Sequence, residues 1–66
     1  MKVSEIKEKL HAETGKDFNY LGFVFDEYFG HCHEFEIPDG PIVLIDAEGN
    51  NLNTAIKCIK DYYYEK

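Results

Sequence analysis

Two hydrophobic spacings alternate along the chain. Near the N-terminus Val3, Ile6 and Leu10 recur at three- and four-residue intervals among charged residues, which gathers apolar side chains on one side of a helix. Ser4 is the expected N-cap, Glu5 and Glu8 put negative charge at the positive end of the helix dipole, and Gly15 stands where the helix should end. From Tyr20 the interval falls to two: Leu21, Phe23 and Phe25 alternate with Gly22 and Val24, predicting a strand, and Asp26 to Gly30 predicts a turn. A second alternating run, Cys32 to Ile37, sets His33, Phe35 and Ile37 on one face and Cys32, Glu34 and Glu36 on the other. That is a strand with one wet face.

Ile37-Pro38-Asp39-Gly40-Pro41 is a hairpin signal, with Pro presetting φ at the first corner and Gly accepting positive φ at the last. The strand that follows, Ile42-Val43-Leu44-Ile45, is apolar on both faces. A two-residue Asp39-Gly40 loop sets Ile42 and Leu44 beside Ile37 and Phe35; a three-residue loop from Pro38 sets Val43 and Ile45 there instead. Either register leaves two aliphatics on the face that carries Glu34 and Glu36. An apolar edge strand is normally covered or paired, so strand 42–45 calls for a homodimer, a partner protein, or the domain's own helix or loop across it. After the turn Asp46 to Asn50, capped by Asn50 or Asn51, Leu52, Ile56, Ile59 and Tyr63 form the strongest helical stripe of the chain. The expected architecture is one domain over 1–66 of the α+β class. It runs αβββα, a three-stranded antiparallel meander with two helices packed on one face.

Size makes that core small: 18 of the 66 residues are Val, Ile, Leu or Phe. No apolar run approaches the roughly 18 residues that span a bilayer, and the N-terminus alternates charge, so a cytoplasmic protein with no membrane partner is expected. Two cysteines, Cys32 and Cys58, are fewer than small secreted scaffolds carry and are expected as free thiols. Charge is distributed unevenly. The net charge is −6; all seven basic residues are Lys, and none lies between Asp17 and Ile56, where there are eight carboxylates. Nucleic acid is bound through Lys and Arg that release counterions from phosphate, so direct nucleic-acid binding is not expected and a basic protein partner is.

Candidate chemistry centres on His31-Cys32-His33. The two histidines share a strand face and could reach one metal, with Cys58, His11 or Asp46 as further ligands, but no CxxC or HxxxH spacing supports a site. Cys32 points away from its neighbours, against a cysteine nucleophile with an adjacent base. Asp46, Glu48 and Asn50 mimic the start of a calcium loop, yet Asn51 replaces its glycine and Lys57 its glutamate. No metal, cofactor or catalytic residue is therefore expected. The expected partner contacts are Glu34, Glu36, Asp39, Asp46 and Glu48, with Ile42 and Leu44, or their register alternates, as the apolar part.

Two families share parts of this pattern. From about Tyr20 to Tyr63 an alternating strand, an acidic turn ending in Gly30, a strand running into Pro38-Asp39 and Pro41, and the run Asn50 to Ile56 after Gly49 resemble the N-terminal domain of HicB antitoxins. The Pro38 to Gly49 spacing is longer than that family's, and the N-terminal helix is additional. The αβββα order, the Met-Lys-Val-Ser-Glu-Ile opening and Gly30 before the second strand resemble HicA toxins, RNA-cleaving proteins with a double-stranded-RNA-binding-domain-like fold. Cys32 stands at the catalytic histidine of that family's Gly-Ser-His motif, and His33 follows it. The resulting expectation is a non-enzymatic inhibitor of a basic nucleic-acid-binding protein, antitoxin-like or a phage-encoded inhibitor of a host defence enzyme. The rivals are a divergent HicA-like nuclease using His33 or His31 as base, and a dimeric interaction protein without inhibitory role.

Overall fold

The computed structural model describes residues 1–64, in the order α1 (Val3–Thr14), β1 (Asn19–Asp26), β2 (Gly30–Glu36), β3 (Ile42–Asp46) and α2 (Leu52–Tyr64). This is the expected αβββα arrangement of an α+β fold. The sheet is antiparallel in the order β1-β2-β3, which leaves β3 on an edge.

Backbone geometry selects the three-residue register for the second hairpin. Ile37 N–H donates to the Pro41 carbonyl at 3.3 Å, Gly40 N–H donates to the Ile37 carbonyl at 2.8 Å, and Phe35 lies opposite Val43. The left-handed residue is Asp39, with φ 62°, where the Pro-Asp-Gly pattern puts Gly40. Aspartate tolerates that region better than most side chains. Gly40 serves close approach instead: a Cβ there would run into Tyr63 Oη and crowd Ile37 at 3.2 Å.

Register then sorts the sheet. Phe35, Ile37, Val43 and Ile45 share the face that both helices cover; Ile42 and Leu44 fall on the other, beside Glu36 and Glu34. The covered face packs Phe35, Ile37 and Ile45 against Ile6 and Leu10 of α1, Phe18, and Leu52, Ile56 and Ile59 of α2. Burying each such side chain contributes about 1.5–3 kcal/mol, so the narrow stripe of α1 suffices because α2 closes the core beside it. Tyr63, the end of the α2 stripe, is half-buried.

Three local expectations are corrected. Ser4 lies inside α1, whose cap is Lys2: the Lys2 N–H donates to Glu5 Oε1 at 2.9 Å, and the Lys2 carbonyl accepts from Ile6 N–H at 3.1 Å. Asn51 does precede α2 at the N-cap position, its carbonyl accepting from Ala55 N–H at 2.9 Å, but its side chain does not cap the helix; it donates to the Leu44 carbonyl and accepts from the Asp46 N–H, both at 2.9 Å. In β1 the alternation breaks at Leu21, because the pairing with β2 shifts between Tyr20 and Gly22 and leaves a bulge. Gly15 ends α1 as expected, at φ 73°. Among the described residues no helix is long and apolar enough to cross a membrane.

Candidate protein-binding face

Pleating brings four of the expected contact residues together. Glu36 lies directly opposite Ile42, and Glu34 opposite Leu44, on the sheet face turned away from the core that the helices cover. Backbone bonds from His31 to Ala47 and from Ile37 to Pro41 fix the intervening odd-numbered residues as the bonded pairs, so Glu36/Ile42 and Glu34/Leu44 are the close, non-bonded pairs. Their Cα atoms are about 4.5 Å apart. Ile42 is 59% exposed, and Leu44, Glu34 and Glu36 are half-buried. Two carboxylates thus stand next to two aliphatic side chains, and among the described residues neither glutamate forms an ion pair.

The other three acidic residues lie elsewhere. Asp39 sits exposed at the tip of the β2–β3 hairpin and Glu48 in the turn at the opposite end of β3. Asp46 is turned inward on its own turn. One carboxylate oxygen accepts from the Glu48 and Asn50 N–H at 2.9 and 3.0 Å, and the other accepts from Asn51 N–H at 3.1 Å. Burial raises its pKa, but the N–H groups of Asn50, Glu48, Asn51 and Gly49 outweigh it and hold the carboxyl below its ordinary value. Its carboxylate is committed to the fold.

Charge separates by layer. From Asn19 to Asn51, the sheet and its turns, there are seven carboxylates and no Lys or Arg. The described lysines lie on or beside the helices, where Lys57 pairs with Asp61 at 3.1 Å, Lys60 approaches Glu13 at 3.8 Å, and Lys16 lies 4.2 Å from the Tyr63 ring centroid. A depression of about 600 Å³ between the helices is lined by these paired charges. Net negative charge is therefore carried by the sheet layer.

His31 and His33 do share a face, with an aromatic ladder the sequence pattern did not reveal. Phe23 stacks on His31 with centroids 5.4 Å apart and tilts against His33 at 5.0 Å, Phe25 meets His31 edge-on, and Tyr20 Oη lies 3.0 Å from His33 Nδ1. β1 lies beyond the cover of the helices, so Phe23 and Phe25 stay 54% and 68% exposed. Only the cross-strand register, shifted by the Leu21 bulge, shows that these rings meet. Among the described residues no three His, Cys, Asp or Glu side chains gather to hold a metal ion. Cys32 is fully buried; that burial, then the charges of Asp26 and Asp46, push its pKa up, so the thiol stays protonated near neutral pH and is a poor nucleophile. Cys58 is free and exposed on α2.

No family model matches the chain, and no curated protein or solved structure is significantly similar to it.

Proposed function

We propose that this chain is a non-enzymatic protein-binding module that inhibits a basic, nucleic-acid-binding protein by covering its cationic site. The observation that carries this reading is the juxtaposition of Glu34, Glu36, Ile42 and Leu44 on the face turned away from the core, in a layer with no Lys or Arg. Uncompensated carboxylates there attract a cationic surface from a distance, and the aliphatic pair excludes water once contact is made. Such a face competes with nucleic acid for the same cationic groups. An antitoxin, such as the HicB proteins the sequence resembles in part, and a phage-encoded inhibitor of a host defence enzyme are two instances of the class. A HicA-like nuclease would need a cationic track for RNA, and this sheet layer is anionic throughout.

Affinity capture with the tagged protein, run beside the double variant Glu34→Lys, Glu36→Lys, tests the reading. The wild type should retain a basic nucleic-acid-binding protein that the variant does not, with nucleic acid displaced from the retained protein. Equal capture by both proteins, or capture of RNA itself, refutes it.

A further inference from the structure

The outer edge of β3 is only half closed. Residues 43, 45 and 47 bond inward to β2, so the N–H and C=O groups of Ile42, Leu44 and Asp46 point outward. The Asn51 side chain occupies two of them, accepting from Asp46 N–H and donating to the Leu44 carbonyl, each at 2.9 Å, as a neighbouring strand would. Among the described residues nothing takes up the Ile42 N–H, the Ile42 carbonyl or the Leu44 N–H. Beside this open half runs an apolar groove of about 360 Å³ between β3 and α2, lined among others by Val43, Ala55, Cys58, Ile59 and Tyr62.

We infer that this edge takes an added strand from the basic partner, an extended segment alternating Lys or Arg with apolar residues. The inference rests on the proposed function and specifies how its partner is held. Alternation follows from the pleat. A partner residue exchanging both backbone bonds with Ile42 points its side chain to the open face beside Ile42, with Glu36 one strand further on. At about 4.8 Å per strand, a lysine or arginine stem laid along Ile42 brings its charge to that carboxylate. The next basic residue passes Leu44 toward Glu34. Residues between them turn into the groove against Val43, Ala55 and Ile59. Because the Leu44 carbonyl already accepts from Asn51, the basic partner residue opposite Leu44 need not offer an N–H. A second copy of this chain would instead align two faces bearing Glu34 and Glu36, from molecules each of net charge −6, with no cation between them.

The test uses a capped synthetic peptide, alternating Lys and Val over seven residues, titrated into the ¹⁵N-labelled full chain. Two N-methylated isomers accompany it: methylation at the Lys positions blocks the N–H groups that face β3, and methylation at the Val positions blocks only those facing solvent. An analogue with Glu for Lys completes the set. The Lys peptide and its Val-methylated isomer should shift the Ile42 and Leu44 amides and slow their exchange, and the Lys-methylated isomer and the Glu analogue should bind about tenfold or more weakly. Equal binding of the two methylated isomers overturns edge docking and leaves the anionic-face reading intact. Equal binding of the Glu analogue overturns both. Amide shifts at Ile42 and Leu44 that grow with protein concentration without peptide give the edge to a second copy and also overturn the inference.

Discussion

Replacing Asp46 by Ala removes the group that organises the turn from β3 into α2. Its carboxylate accepts three backbone N–H bonds within 3.1 Å. Bonds to a charged group contribute about 1.5–3 kcal/mol each when water cannot replace them, but those from Glu48 and Asn50 are exposed and only that from Asn51 is part-buried. The deletion therefore behaves like loss of a strong helix cap, about 2 kcal/mol. For a domain this small that corresponds to a fall in Tm of roughly 8–16 °C, or about 2 M in the urea midpoint. Urea titration followed by circular dichroism at pH 7 measures it. Acid adds a second readout. Because the folded carboxyl titrates below the ordinary 3.8, its contribution is complete above that pH and disappears as the pH falls through the lower, folded value. Asp46→Asn, neutral throughout, should lose that part of the acid dependence. A midpoint for Asp46→Ala within about 0.3 M of wild type refutes the capping argument.

Thiol chemistry gives an independent check on the core. Cys58 should react with a chromogenic disulfide reagent in the native protein, and Cys32 only when urea unfolds it; simultaneous reaction contradicts the burial of Cys32. Gly30 sits at φ 79° with open space where a side chain would go, so Gly30→Ala should destabilise by about 1 kcal/mol from backbone strain alone and Gly30→Asn by less, measured by the same titration. Replacing Tyr20 by Phe removes the hydroxyl 3.0 Å from His33 Nδ1 at an exposed site, and should change stability by less than about 1 kcal/mol while shifting the His33 ring resonances in NMR.

Period-two alternation made β2 legible because Glu34, Phe35, Glu36 and Ile37 alternate in polarity, although Cys32, on the face of the glutamates, is fully buried. The helices were equally plain in the stripes Ile6, Leu10 and Leu52, Ile56, Ile59. What alternation could not decide was the register of β3, since Ile42 to Ile45 is apolar at every position and Pro38-Asp39-Gly40 is compatible with two loops. Asp39 decides it by adopting the left-handed conformation, and with it Ile42 and Leu44 join Glu36 and Glu34 on the open face. The roles of Asp46 and Asn51 were hidden for another reason. In the sequence Asp46 reads as a partner contact at a polar turn and Asn51 as a helix cap, and only the closed turn shows the carboxylate gathering its N–H groups and the amide reaching back to the β3 edge. The run Asp46 followed by Gly49-Asn50-Asn51 was the available signal.

The central claim is that the anionic open face meets a cationic partner, and the salt dependence of association tests it most directly. Stopped-flow mixing with the captured basic protein should give a wild-type association rate that falls about tenfold or more between low salt and roughly 0.5 M, with dissociation little changed. For the folded Glu34→Lys, Glu36→Lys variant the rate should start low and stay nearly flat. Identical rates and salt slopes for the two proteins would contradict the account.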